Sequence, residues 1–374
     1  MGYIGQYTLL KWFVVAGGVL LSIVAYTMLQ SIEHKKVEQE FGVLLDKYKL
    51  SIEYELEDSE KIFNALAAYH YGSEFVSKDE FHTFTKTIMP HHEAIQAIEW
   101  IPYVPYETYR TFEKEASSNL GREFFIRELN EEGWLVPVKK RDAYYPVYYV
   151  EPLNGNERAH GFDLGSEPIR REALLAAKES AEVRMTAPIR LVQEQGTSAA
   201  YLLYYPIYEG ARFSGFYLGV YRADNTVQRA IQRITSECEG INLKIFDKNA
   251  APDKSVLYAQ PCEHKAAVAE GIVYRDEILF AGRTWVIEAR PTMVFAKRHM
   301  TWHPYRAVLV IMLLSALIAF VIYLVERRNA VLYAANEELR RFQKVAVGRE
   351  KRIKELRERL RELEAEKEGG HDVS

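Results

Sequence analysis

Two charge-free apolar runs limit what this chain can become. Trp12 to Leu29 is eighteen residues long, Ala307 to Val325 is nineteen, and neither carries a charged side chain. At ~1.5 Å rise per residue, either run as a helix would cross ~30 Å of hydrocarbon. The competing reading of the first run is a cleaved signal peptide, which wants a basic start and a small-x-small cleavage site. Only Lys11 precedes the run and Gln30-Ser31-Ile32-Glu33-His34-Lys35 follows it, so a retained anchor is expected.

Lys and Arg near the span ends set orientation. Arg327, Arg328, Arg340, Arg341 and Lys344 follow the second run and favour a cytoplasmic C-terminus, although Lys297, Arg298 and Arg306 stand just before it. Two spans put both termini on one side. The expectation is a two-span inner-membrane protein, in contact with membrane lipid, whose residues between the spans are extracytoplasmic. The 374 residues have room for two ordinary domains, and a net charge of −4 is too near neutral to suggest a nucleic-acid or polyanion partner. Cys238 and Cys262 both fall outside the cytoplasm, where a disulfide is permitted but not required.

Beyond the first span, Val37, Phe41, Leu44, Leu45, Tyr48, Ile52, Leu56, Ile62, Phe63, Leu66 and Tyr69 recur at helical spacing, with Leu50 off the stripe. That predicts a stalk helix continuing the span outward. Ser77 with Glu80 is a capping box opening a short helix. The run Ala94 to Val104 reads as a strand. A helix follows from Pro105 to about Ser117, and Phe124 to Leu129 and Trp134 to Val138 read as short strands around a turn. Tyr144 to Val150 reads as one strand, and Glu167-Pro168 opens a helix to about Ala181. Strands follow at Met185–Pro188, Ala200–Tyr208 and Gly215–Tyr221, then a helix from Asn225 to Glu237. A second set spans Ile241–Phe246, Val256–Ala259, Ile272–Phe280 and Trp285–Ala289.

After the second span, Leu332, Ala335, Leu339, Phe342, Ala346, Ile353, Leu356, Leu360 and Leu363 step by threes and fours, broken only at Arg349. Dense Arg and Glu flank them. This is a coiled-coil pattern whose register extends back through Val325 and Ile318; a single charged helix on the membrane surface is the alternative.

No HExxH, GxSxG or CxxC motif occurs, and the tail has no phosphate loop or phospho-acceptor histidine hairpin. His91-His92-Glu93 with His70 and His82 fits no compact metal site, and surface histidines are expected. Asp163 with Glu151 could be posed as a glycosidase pair, but two acids carry almost no information. No enzyme, cofactor or metal is expected. Asp163 is expected to cap the helix at Glu167 or fix the Gly165 turn, and Arg170, Arg171 and Arg190 to be solvated rather than to mark an anionic ligand.

Of the chain's 25 tyrosines, ten fall between Tyr144 and Tyr221, where they suit half-buried strands or a pocket lining. Here stand Tyr145-Pro146-Val147-Tyr148-Tyr149-Val150-Glu151-Pro152, then Gly161-Phe162-Asp163-Leu164-Gly165, Met185-Thr186-Ala187-Pro188-Ile189-Arg190-Leu191, and Tyr201-Leu202-Leu203-Tyr204-Tyr205-Pro206-Ile207-Tyr208. Over about Ile88 to Tyr221 the chain resembles the CHASE domain, the extracytoplasmic sensor module of many bacterial receptors and of plant cytokinin receptors. The resemblance implies an α+β chain: a two-span membrane protein with a stalk helix, two tandem PAS-like lobes and a C-terminal coiled coil. Its expected segments are 1–30 first span, 31–76 stalk, 77–235 distal lobe, 236–300 proximal lobe, 301–326 second span, 327–368 coil and 369–374 tail. It also implies a pocket between sheet and covering helices. On the family pattern Thr186 faces that pocket, and Glu151 stands nearest to the acidic residue that polarises the ligand in plant members. The expected ligand-binding residues are Tyr148, Glu151, Thr186, Leu203 and Tyr205. Cytokinin itself does not follow. The reading is a homodimeric receptor that binds a small molecule and signals to a separate histidine kinase or other cytoplasmic protein. A membrane-tethered scaffold that binds a protein is its rival.

Overall fold

The computed structural model describes residues 2–73, 76–191, 199–235, 240–252, 255–260 and 271–369, with side chains from residue 9 to residue 363 of that set. Cys238 and Cys262 lie outside the described residues, so their pairing is left aside. The chain divides into two compact units, Met1–His34 with Thr301–Ser374, and Lys35–Met300.

Helix α1 (Gly2–Tyr71) contributes to both units. Its part in the larger unit is held by one stripe. Val37, Phe41, Leu45, Tyr48, Ile52, Leu56, Phe63 and Leu66 are buried, whereas Leu50, off the stripe, is 65% exposed. Helix α2 (Lys78–Ile88) opens with the expected capping box: Ser77 Oγ accepts from the Glu80 amide at 3.3 Å and Glu80 Oε2 accepts from the Ser77 amide at 2.9 Å.

Strands β1 (Ile95–Pro102) and β2 (Val104–Pro105) lead into α3 (Tyr109–Leu120), then β3 (Arg127–Leu129), β4 (Leu135–Pro137), β5 (Ala143–Tyr144) and β6 (Tyr149–Glu151). The stretch expected to be one strand, Tyr144 to Val150, is therefore two. Tyr144 pairs with Val104, and Tyr149 pairs with Trp100. Between them Pro146, which has no amide to donate, bridges Asp163, and the Val147 amide bonds the Phe162 carbonyl at 3.0 Å.

Helix α4 (Pro168–Ser180) starts with proline in its first turn, and Glu167 accepts from the Ile169 and Arg170 amides. It precedes β7 (Arg184–Met185), β8 (Ala200–Glu209), β9 (Arg212–Arg222) and α5 (Ala223–Gln232). These strands form a five-stranded antiparallel sheet ordered β6-β1-β9-β8-β7. One face (Ile98, Tyr149, Tyr201, Leu203, Tyr217, Tyr221) packs with the α1 stripe. The other (Ala97, Ile101, Leu202, Tyr204, Leu218, Val220) packs under Ala173, Leu174 and Ala177 of α4.

The second sheet, ordered β11-β10-β13-β12, comprises β10 (Ile241–Asp247), β11 (Val256–Gln260), β12 (Tyr274–Phe280) and β13 (Arg283–Pro291), and helix α6 (Met293–His299) follows. Its buried residues share the α1 core, with Trp285 meeting Tyr201 edge-on at 5.3 Å and Phe295 meeting Phe41 at 5.4 Å.

In the other unit, α7 (His303–Gly369) lies beside the first part of α1. Among the described residues, these two helices are long and apolar enough to cross a membrane. They touch where Gly18 faces Ser315: a β-carbon at Gly18 would fall 2.0 Å from Ser315 Oγ. Lys11 pairs with Glu326, Tyr26 meets Tyr305 edge-on at 5.8 Å, and Glu33 accepts from the Thr301 amide at 3.0 Å.

Candidate functional site

The five residues expected from the sequence fall into three places. Leu203 and Tyr205 occupy alternate positions of β8 that face α1, where Leu203 is fully buried and the Tyr205 hydroxyl donates to Asn64 Oδ1 at 2.8 Å. Thr186 lies on the opposite face. It is 1% exposed, its Oγ1 accepts from the Leu202 amide at 3.0 Å, and it thereby satisfies backbone beyond the end of β7. Tyr148 and Glu151 are together at the β6 edge.

That edge holds a cavity of about 20 Å³ lined by Lys78, Phe81, Arg122, Tyr148, Glu151 and His160, among others. Glu151 pairs with His82 Nδ1 at 3.0 Å. His160 is buried and its Nε2 has no partner among the described residues. Burial, together with Arg122, Arg127 and Lys78, pushes its pKa down to about 4, so the ring is neutral. The volume suits one water.

The α4 face carries a different set of polar groups. Glu99 of β1 and Tyr204 of β8 both stand opposite Leu218 of β9, so one row across the sheet holds a carboxyl and a phenol two strands apart. Two interstrand spacings are ~10 Å. Glu99 is 3% exposed, and burial raises its pKa to about 8, against the pull of Arg170. It is a neutral acid at pH 7. The Tyr204 hydroxyl is fully buried and unpartnered among the described residues, which costs on the order of 1–3 kcal/mol.

Above them sits Arg170, in the first turn of α4. The sequence suggested a solvated arginine; it is 6% exposed. Nη2 donates to the Arg190 carbonyl at 3.0 Å, Nη1 to Glu167 Oε2 at 3.3 Å, and the guanidinium lies 5.6 Å from the Phe162 ring centre. Glu99, Arg170, Phe162, Leu202 and Val220 line a cavity of about 20 Å³. Arg170 also lines a cleft of about 1000 Å³ with Glu167, Arg190, Asp224, Gln228 and Tyr258, so its side chain is a wall between cleft and inner cavity. The cleft can admit a small polar molecule to Arg170, which offers charge, while the inner cavity where Glu99 stands has room for about one water.

Asp163 does what the sequence suggested at Gly165: Oδ1 accepts from the Tyr145 amide at 2.8 Å and the Gly165 amide at 3.1 Å, while Oδ2 takes Arg141 at 3.2 Å. Glu167 itself caps α4. His70 departs from the surface expectation, being wedged against Trp100 with Nδ1 3.0 Å from the Tyr217 hydroxyl. Among the described residues no group of His, Cys, Asp or Glu could hold a metal. Glu99 is not among the residues expected from the sequence. A lone acid within Ala97-Ile98-Glu99-Trp100-Ile101, in phase with two buried neighbours, was the available signal.

The chain is 26% identical over 401 residues to hybrid signal transduction histidine kinase A of Dictyostelium discoideum; the match covers 97% of this chain but 18% of that protein. Among solved structures, an extracellular ligand-binding receptor from Desulfohalobium retbaense matches with TM-score 0.37 and 11% identity, covering 70% of this chain and 40% of that one. The ligand-binding domain of the Pseudomonas aeruginosa amino-acid chemoreceptor PctC, solved with GABA, matches with TM-score 0.37 and 11% identity over 67% and 97%. Residues 74–258 match the family model of the CHASE domain, and this segment of the chain is a CHASE domain.

Proposed function

We propose that the chain is a transmembrane receptor subunit that binds an extracytoplasmic small molecule in its CHASE domain and relays binding through the second span. Both termini are cytoplasmic and the membrane is the inner one in this reading. The lobes act as PAS-like modules, and residues 327–368 form a coiled coil that joins two copies and addresses a separate histidine kinase or other signalling protein. The receptor catalyses nothing and needs no cofactor. The observation that carries the reading is the buried, unpartnered Tyr204 hydroxyl in one row of the sheet with the buried Glu99 carboxyl, which shares an inner cavity with Arg170, a residue that also lines the open cleft. A ligand moves the equilibrium between receptor states only by its differential affinity for them, and in this reading a bond to the Tyr204 hydroxyl supplies part of that difference.

The test is thermal stability of the full chain in nanodiscs against adenine derivatives, small acids, amines and peptides. Tyr204→Phe should leave the unliganded protein as stable or slightly more so, because it removes an unsatisfied hydroxyl. It should also abolish most of any ligand-induced shift. A ligand whose shift survives Tyr204→Phe, Glu99→Gln and Arg170→Met places the site elsewhere.

The scaffold reading has its own support: Tyr201, Tyr217 and Tyr221 seal the α1 face, and the inner cavities hold about 20 Å³ each. A well-folded protein with no response across the library favours it. The dimer is tested by cysteines at Leu332, Leu339 and Leu356, which are 55–58% exposed. Oxidation is expected to give disulfide-linked pairs at these a/d-type positions and none at flanking Arg341; no linked pair at any of the three would remove the dimer.

A further inference from the structure

We propose that the Lys11–Glu326 ion pair is a latch that fixes the register of α7 against the first part of α1, an inference whose link to signalling rests on the relay proposed above. Both helix segments belong to one compact unit, and their contacts run in antiparallel order. At one end Lys11 pairs with Glu326, and its ammonium lies 5.5 Å from the ring centre of Tyr323, on the same helix as Glu326. Farther along, Gly18 faces Ser315 with no room for a β-carbon between them. At the other end Tyr26 meets Tyr305 edge-on, and Glu33 accepts from the Thr301 amide at 3.0 Å.

Charge is scarce along these segments, which gives the pair its weight. Lys11 is the one charged residue before Glu33, and Glu326 is the one acid between Glu288 and Glu337. Each adjoins an apolar run, Lys11 before Trp12 and Glu326 after Val325. Their side chains are 24% and 15% exposed, so both are mostly covered. An acid at that place adds little to orientation, which Lys and Arg set, and a charge at the edge of hydrocarbon is costly unless it is paired. Close packing at Gly18 sets the spacing of the helices, since lipid supplies no hydrophobic force to hold them together. The serines beside it bond within their own helices, Ser22 Oγ to the Gly18 carbonyl and Ser315 Oγ to the Ile311 carbonyl, each at 2.8 Å. Glu33 bonds Thr301, ahead of α7, so the charge that holds α7 itself is Lys11. A slide of α7 by one turn, ~5.4 Å, parts Lys11 from Glu326.

The test introduces Tyr26→Cys and Tyr305→Cys, about fifteen residues and ~22 Å along α1 from the latch, into the full chain in nanodiscs. Oxidation is followed by mass spectrometry in a mixture of isotopically heavy and light chains, so that links within a chain are told from links between copies. A polar contact between helices in a bilayer is worth roughly threefold in their equilibrium, so Lys11→Gln and Glu326→Gln should each slow the link by about that factor. Lys11→Glu, which sets two acids side by side, should slow it more, and Lys11→Glu/Glu326→Lys should restore the wild-type rate. Arg328→Gln should change nothing. Equal rates in the wild type and the single variants overturn the latch and leave Lys11 an anchor alone. A charge swap that stays slow overturns it too, and because the swap keeps both charges, that outcome stands even where a single variant inserts poorly. A second readout separates the layers: Leu339→Cys should link two copies at a rate that changes in Lys11→Gln and returns in the swap. Slowing at Tyr26 and Tyr305 with no change at Leu339 keeps the latch and discards the relay.

Discussion

Gly219→Val will lower the melting temperature of the sensor domain by about 6–12 °C, among the largest effects expected of any single substitution on the α1 face. Gly219 lies in β9, the central strand, and its backbone is in no unusual conformation; the demand is for space. A β-carbon there would sit 2.6 Å from Phe63 Cζ of α1 and 2.5 Å from Tyr221 Cε2. Phe63 is fully buried and stacks with Tyr205, so it has nowhere to retreat. Overpacking a filled core costs ~1–3 kcal/mol, and displacing a buried phenylalanine approaches the ~3–5 kcal/mol of its deletion. A net loss of ~3 kcal/mol moves the midpoint by ~2–4 °C per kcal/mol in a domain of this size. Gly42→Val is the control, since a β-carbon at Gly42 meets nothing within 4 Å. Phe63→Ala combined with Gly219→Val should cost less than the sum of the two single changes, because the pair shares one volume. Additive costs, or an unchanged midpoint in Gly219→Val, would show that α1 does not press on β9.

How far the sequence led can be read from individual residues. The α1 stripe was legible because each stripe position answers to one neighbour surface, and a 3.6-residue period records it; even the exposure of Leu50 followed. Caps at Ser77 and Glu167 were legible because their chemistry is local. The break between β5 and β6 was not, since Val147 bonds to Phe162 and Tyr149 to β1, and only the assembled fold decides which partner each takes. Which face of β8 a side chain takes was not legible: Leu203 and Tyr205 face α1, while Leu202 and Tyr204 face α4. A strand that is buried on both faces has no polar-apolar alternation to set the phase. Arg170 looked like any exposed helix cation, because its burial comes from the Arg190 carbonyl and Phe162, far along the chain.

Raising the pH from 6.5 to 8 will destabilise the domain by about 2 kcal/mol, and Glu99→Gln will remove that slope. Glu99 titrates at 4.5 unfolded and at about 8 folded, because burial in the α4 face disfavours its charge. A group whose folded pKa is raised contributes stability that is complete below pH 4.5 and is lost as the pH climbs through 8. His160 acts in the opposite sense: its folded pKa is depressed to about 4 from 6.5, so its contribution grows with pH over that interval and is complete above 6.5. Between pH 4.5 and 6.5 the two oppose each other. Above 6.5 the loss from Glu99 stands alone, at ~1.36 kcal/mol per unit until the folded pKa is reached. The measurement is the urea midpoint of wild type and Glu99→Gln across pH 5 to 9, where the difference in favour of glutamine should widen steadily above 6.5. A constant difference would mean that Glu99 is ionised in the fold, and the neutral acid at the centre of the proposed site would be lost with it. The same proton also classifies the ligand. A cationic amine bound against Glu99 at pH 7 must expel that proton, whereas a neutral ligand accepting a hydrogen bond from it expels none. Titration calorimetry in two buffers of different ionisation enthalpy counts the difference, and Glu99→Gln sets the count to zero in either case.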